Sequence, residues 1–189
     1  MKTMRLALTF AALFCSSRSF GQTKEYELVM SLNDRFVVKG SNKWNVTVDK
    51  LLPLRFANVQ VSPRDGRSFS LMLYFKCDTP DLGRFDSPEK MRSSVVASSE
   101  EYLPYSVEKR VVVKELRVRG WYGFSTVLTD RDLSEKKEIP AGSFKYITRG
   151  MVRLSPDSAL GFSLMTNELD SSGYKELMDH ILHFVKAKE

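Results

Sequence analysis

Two histidines near the end of the chain have a spacing that metal sites use. His180 and His183 are three residues apart, and Asp179 precedes His183 by four. Zinc sites do use histidine pairs at such spacings. However, the sequence has only these two histidines and no HExxH pattern. We therefore expect both on the solvated face of a helix, and the sequence predicts no metal and no cofactor.

An acidic segment could suggest a calcium loop, but its spacing does not fit one. Its acids are Asp130, Asp132, Glu135 and Glu138. An EF-hand loop needs ligands at fixed positions and a bidentate glutamate at its end. Because that pattern is absent, residues 129–142 are predicted to form a charged, solvated loop. The chain also has neither a GxSxG nucleophile elbow nor a glycine-rich phosphate loop.

The most suggestive residues are cationic and aromatic side chains on two predicted strands. They are Arg117, Arg119, Trp121, Tyr122, Arg149 and Arg153. On each strand the arginines are an even number of residues apart and so share a face. If the strands are neighbours, the arginines form a basic stripe that would attract an acidic protein or anionic headgroups. The alternative is an ordinary exposed sheet face, and core packing is the default expectation for Trp121.

The first 21 residues read as a secretory signal peptide. Lys2 and Arg5 precede an uncharged, mostly apolar run over residues 6–15, and small polar residues follow. Ten residues of helix rise only about 15 Å, half of a hydrocarbon core, so a permanent span is not expected. The pattern is that of a signal peptide cleaved after Gly21, which places the protein in the periplasm or outside the cell.

Removal of this segment changes what the charge implies. Lys2, Arg5 and Arg18 would leave with no acidic residue, so the formal net charge falls from +6 to +3. No dense basic run remains, and a nucleic-acid partner is therefore not predicted. Lipid attachment at Cys15 would need a small residue before the cysteine, where the chain has a phenylalanine. Cys77 would be the remaining cysteine, and its strand-like surroundings predict a buried, inert thiol.

The mature chain, residues 22–189, is predicted to be one α+β domain. Residues 26–32, 36–38, 43–48, 54–61 and 69–76 have strand-like composition, and the turn sequence SPRDG at 62–66 predicts an antiparallel hairpin. Ser87 and Pro88 predict the start of a helix that runs to about residue 103. Strands are expected again at 110–118, 121–129, 144–154 and 160–166. A terminal amphipathic helix follows, whose apolar arc includes Tyr174, Leu177 and Ile181. The expected architecture is a mostly antiparallel sheet with flanking helices.

The order of these elements resembles the PsbP-like superfamily, which includes PsbP, DcrB-like periplasmic proteins and Ran-binding import factors. The resemblance rests on the helix near 88–103, the segments GWYGF at 120–124 and FKYITRG at 144–150, the strand at 162–167, and the last helix. It implies an α/β/α sandwich. It also implies an accessory or binding module, since members bind unrelated partners and fold does not fix function. The context of Cys15 departs from the lipoprotein branch.

Two classes of function are compatible with the sequence. The first is an exported, non-catalytic binding or accessory protein of the cell envelope, with a protein or an anionic envelope component as its partner. The alternative is a small hydrolase or metal-dependent enzyme whose site is assembled only in three dimensions. The second class requires a histidine or Cys77 beside a carboxylate in a pocket.

Overall fold

The computed structural model describes residues 23–29, 35–41, 44–51, 56–64, 68–77, 87–118, 121–155 and 158–182. The predicted signal peptide with Cys15, and also Arg119 and His183, lie outside these ranges. The backbone of Cys77 is described but its side chain is not, so the buried thiol stays a prediction. None of the helices in the described ranges is long and apolar enough to cross a bilayer.

Within these ranges the chain forms nine strands and two α-helices. They are β1 (Thr23–Val29), β2 (Arg35–Ser41), β3 (Trp44–Leu51), β4 (Phe56–Pro63), β5 (Phe69–Cys77), α1 (Pro88–Glu100), β6 (Lys114–Val118), β7 (Trp121–Thr129), β8 (Tyr146–Ser155), β9 (Ser158–Thr166) and α2 (Ser172–Leu182). The predicted bounds of β7 are confirmed. The strand expected from residue 110 begins only at Lys114, and α1 ends before a 3₁₀ turn at Leu103–Tyr105.

The main sheet is antiparallel and has seven strands in the order β3-β4-β5-β9-β8-β7-β6. β4 and β5 form the predicted hairpin, with Val61 paired to Leu71. β1 and β2 form a separate antiparallel pair. The predicted α+β class, with a largely antiparallel sheet and helices, is confirmed.

The two helices pack against opposite faces of this sheet. Met91 and Val95 of α1 cluster with Phe124 and Met151, and we call this side of the sheet the α1 face. Leu177 and Ile181 of α2 cluster with a larger apolar set on the other side, the α2 face. Strand alternation along β9 assigns Leu160, Phe162 and Leu164 to the α2 face and Ala159, Gly161 and Ser163 to the α1 face.

The start of α1 follows the sequence prediction. Ser87 has an extended backbone, and its hydroxyl oxygen accepts a hydrogen bond from the N–H of Lys90 at 3.2 Å. Pro88 occupies the first turn, where its missing N–H costs nothing. The buried face of the helix is Met91, Val95 and Ser99.

One glycine of β8 allows a close approach in the core. A Cβ atom added at Gly150 would press into the ring of Phe162 and lie 2.6 Å from the Phe124 carbonyl oxygen. Phe162 is only 2% exposed and belongs to the larger core cluster. At Gly161, on the neighbouring strand, the atom nearest to an added Cβ is the Cβ of Tyr74 at 3.7 Å, which is an ordinary contact.

We expect Gly150→Ala to lower the free energy of unfolding by about 1–3 kcal/mol, because the added methyl group overpacks the core. Gly161→Ala is the matched control, and it should be neutral or slightly stabilising, because it reduces the entropy of the unfolded chain without strain. Urea unfolding midpoints at constant slope measure both changes. Equal midpoints for the two variants would contradict the close packing at Gly150.

A hydrogen bond joins α2 to the sheet through partly buried hydroxyl groups. The Tyr174 hydroxyl lies 3.0 Å from Thr148 Oγ1, and Thr148 is 1% exposed. Burial raises the pKa of Tyr174 above its ordinary value of about 10, and the hydrogen bond to Thr148 offsets part of that shift. The folded protein therefore retains this proton at a pH where the unfolded chain releases it.

The stability of the protein should consequently fall as pH rises through about 10, since the folded state then binds more protons than the unfolded state. Tyr174→Phe should be less stable than wild type at pH 8 by about 0.5–1.5 kcal/mol, because it loses the hydrogen bond. Its stability should decline less steeply between about pH 9 and 11. Urea unfolding across this range tests the prediction, and parallel pH profiles for the two proteins would refute it.

Candidate functional site

The register of the sheet brings three of the predicted arginines to one face. Arg117 on β6 pairs directly with Tyr122 of β7, and Arg149 on β8 pairs with Thr126, four residues further along β7. Arg153 shares strand parity with Arg149. Arg117, Arg149 and Arg153 therefore all lie on the α1 face. Arg119 lies outside the described ranges.

Arg153 is buried in an aromatic setting. Arg153 is only 8% exposed, and its Nη1 donates a hydrogen bond to the Tyr122 hydroxyl at 2.8 Å. Its guanidinium carbon lies 5.6 Å from the centre of the Trp121 ring and 5.7 Å from that of Tyr122. Cations in this position over aromatic faces are attracted by the ring quadrupole. Arg153 thus holds two aromatic side chains at this end of β7.

The Arg149 side chain contacts the residues that follow the end of α1. Nη1 donates to Glu101 Oε1 at 2.7 Å, and the guanidinium carbon lies 4.8 Å from the centre of the Tyr102 ring. This pairing was not predicted, because 48 residues separate the two partners and no local pattern relates them. Arg149 therefore anchors the helix terminus to β8, and the predicted stripe is divided by α1.

Arg117 and Trp121 are the exposed part of the predicted set. Arg117 is solvent-exposed and makes no hydrogen bond or ion pair with any other residue that the structure describes. Trp121 is 40% exposed, so the default expectation of core packing is wrong for this residue. Trp121 is the first residue of β7, at the end of the strand, where Arg153 lies over its ring. We call Arg117, Trp121, Tyr122 and Arg153 the arginine–tryptophan surface.

The predicted solvated face around the histidines is partly covered. The His180 ring packs edge-to-face on Trp44 with centroids 5.3 Å apart, and its Nε2 lies 3.9 Å from Glu176 Oε1. Across the described ranges, no group of three or more histidine, cysteine or acidic residues is arranged to hold a metal ion.

The acidic loop between β7 and β8 is a folded turn. Asp130 Oδ1 accepts hydrogen bonds from the N–H groups of Asp132 and Leu133 at 2.8 and 3.0 Å. Leu133 is buried, at 9% exposure, which the prediction of a solvated loop missed. Leu133 also lines a pocket.

That pocket lies on the α1 face beyond the end of α1 and has a volume of about 290 Å³. We call it the aromatic pocket. Part of its lining is a row of residues paired directly across three strands, namely Leu128, Ile147 and Met165. Aromatic side chains form much of the rest, namely Tyr102, Tyr105, Phe144 and Tyr146. Polar lining residues include Ser143, Asp130 and Lys145.

Sequence reasoning did not find this pocket. Its walls come from the turn after α1 and from the loop before β8, about 40 residues apart. The available signal was the cluster of aromatic residues in the segments YLPY at 102–105 and FKY at 144–146. Neither histidine nor cysteine is among the residues that line it.

No protein-family model and no curated protein matched this chain. The likeness to the PsbP-like superfamily therefore stays a prediction based on the order of elements and on the motifs quoted above.

Proposed function

We propose that this protein is an exported, non-catalytic binding or accessory protein of the cell envelope, with a PsbP-like α/β/α sandwich fold. Its arginine–tryptophan surface binds an acidic region of a partner protein. The observation that carries the proposal is the exposed Trp121 ring stacked against the buried Arg153, with the exposed Arg117 on the neighbouring strand.

The chemistry of this surface suits protein recognition. Tryptophan and arginine are enriched among residues that dominate binding energy at interfaces. Contact with Arg153 holds the Trp121 ring in place before a partner arrives, which lowers the entropy cost of binding. Arg117 supplies an exposed cation that a carboxylate of the partner can reach.

A protein partner agrees with these observations better than a membrane surface does. Adsorption to anionic lipid gains about 1 kcal/mol for each basic residue near the surface and needs a cluster of several. Arg149 is paired with Glu101, and Arg153 is buried. Of the predicted basic stripe, Arg117 is the one exposed and unpaired cation among the residues that the structure describes, which is too little for lipid adsorption by the stripe alone.

The binding class is also supported by how the polar groups of the aromatic pocket are used. Asp130 Oδ1 accepts two backbone hydrogen bonds, and the Thr129 hydroxyl donates to Glu108 at 2.8 Å. These groups organise the walls of the pocket. The alternative, a small hydrolase or metal-dependent enzyme, has no comparable supporting observation in the described ranges.

Export predicts a processed chain. The mature protein should begin at Gln22 or within a few residues of it, because small side chains precede that position as signal peptidase requires. The intact mass of the protein isolated from its native host measures this directly. A full-length chain, or one carrying a lipid on cysteine, would contradict the proposal.

Docking through the arginine–tryptophan surface predicts that Arg117→Glu and Trp121→Ala weaken binding to the envelope partner. We expect a loss of about tenfold or more for Trp121→Ala, the size typical of an interface hot spot. Arg117→Glu replaces attraction with repulsion, and its effect should shrink with added salt as the Debye length falls to about 8 Å at 0.15 M. Quantitative pull-down from envelope extract, with mass spectrometry of the captured protein, measures both changes.

Lys114→Glu is the matched control for this experiment. Lys114 is an exposed cation on the same strand, three residues from Arg117 and so on the opposite face. Capture should be unchanged in Lys114→Glu. Equal capture by Arg117→Glu and Lys114→Glu would overturn the proposed surface. If no protein is captured, and Arg117→Glu loses a binding to anionic vesicles that the wild type shows, the surface binds lipid instead.

A further inference from the structure

We propose that the aromatic pocket binds a small aromatic acid of about two rings. The pocket is separate from the arginine–tryptophan surface, and this inference does not depend on the docking function. It rests on the volume of the pocket, on its lining, on the bonds that hold it open, and on one cation beside it.

The volume sets the size of the ligand. A dry apolar cavity of about 150 Å³ accommodates benzene. A pocket of about 290 Å³ therefore has room for a molecule of about two rings and is too small for a helix or a folded loop. The row Leu128, Ile147 and Met165 supplies apolar surface, and four aromatic rings supply faces or edges for a planar ligand.

The walls are tied to each other and to the sheet without a ligand. Ser106 forms a β-bridge with Asp130, and the N–H of Arg131 donates to the Tyr105 carbonyl oxygen at 2.9 Å. The Arg131 guanidinium also donates to the Ser106 carbonyl oxygen, with Nη2 at 2.9 Å. These bonds join the turn after α1 to the loop before β8.

The far side of the loop is held by one asparagine. Asn167 Oδ1 accepts the Lys145 N–H at 2.8 Å, and Asn167 Nδ2 donates to the Ser143 carbonyl oxygen at 3.4 Å. Tyr102 is fixed in turn by Arg149, which lies over its ring. A site whose walls are already ordered loses little conformational entropy when a ligand enters.

Tyr105 marks the mouth of the pocket. It lines the pocket, yet the residue is 72% exposed, the most exposed large apolar residue among those that the structure describes. Its backbone is fixed by the bond to Arg131, so the ring is presented to solvent from a rigid position. A planar ligand that covers this ring removes apolar surface from water, which is favourable.

Lys145 supplies the charge that selects an acid. Its ammonium lies 5.8 Å from the centre of the Tyr146 ring, and no carboxylate in the described ranges is within ion-pair distance of it. Asp130 also lines the pocket, but its Oδ1 is bound by two backbone N–H groups of the turn. Lys145 is the one cation in the pocket lining, and it has no anionic partner among the described residues. A ligand carboxylate beside it would form an ion pair with its ammonium group.

The test uses 2-naphthoate as the probe, with 2-naphthol as its uncharged analogue, in isothermal titration calorimetry on the mature protein. We expect 2-naphthoate to bind with a dissociation constant below about 1 mM. Tyr105→Ala should raise that constant by roughly threefold to tenfold, because it removes one stacking face. Lys145→Met should weaken 2-naphthoate and leave 2-naphthol unchanged.

Two further variants localise the binding. Ser143→Phe should abolish it by filling the pocket, since Ser143 contributes only backbone groups to the bonds around the loop. Val112→Ala is the control, because Val112 is an exposed apolar residue outside the pocket lining. Thermal unfolding of each variant confirms that it folds.

The outcomes separate clearly. Absence of 2-naphthoate binding by the wild type, or binding unaffected by both Tyr105→Ala and Ser143→Phe, overturns the pocket as an aromatic site. Equal weakening of 2-naphthoate and 2-naphthol by Lys145→Met overturns the assignment of an acid. All four variants leave Arg117 and Trp121 intact, so failure here does not bear on the docking surface.

Discussion

The architecture depends on the burial of β9 on both of its faces. Eight of the nine residues of Ser158–Thr166 are buried, so the strand has no polar side to present to water. Its two faces differ in bulk, with Leu160, Phe162 and Leu164 on one side and small residues on the other. The bulky side builds the larger core with α2. On the small side, Ala159 joins the cluster that Met91 and Val95 of α1 form with the sheet.

The position of α1 then decides what else the protein can do. The helix has 13 residues, or about 20 Å, and it ends at Glu100 while β7, β8 and β9 continue beneath and beyond it. Arg149 holds that end in place through Glu101 and Tyr102. Among the described residues, the sheet surface past this point, with Leu128 and Ile147, faces the turn after α1 and the loop between β7 and β8. The aromatic pocket is the space that remains between them.

Local signals in the sequence were sufficient for many of the elements. Ser87 and Pro88 act on the first turn of their own helix, and the bounds of β7 follow from a run of β-forming residues.

Local signals failed where contacts between distant segments determine the structure. Residues 110–113 have strand composition, yet β6 starts only at Lys114, and nearby Glu108 bonds the end of β7 through Thr129. Leu133 lies in a polar stretch and is nevertheless buried, in the lining of the aromatic pocket. The predicted basic stripe had the right parity, but the pairing of Arg149 with α1 could not be read from spacing.

The order of strands leaves β6 at the end of the main sheet, with an outer edge that pairs with no described strand. Unpaired strand edges are templates on which another chain can add a strand and begin to aggregate. β6 is short, and Lys114, Glu115 and Arg117 are exposed along its five residues. A second copy laid against this edge would have to desolvate those charges. The same side chains that make the edge polar therefore stop the sheet from growing into a fibre.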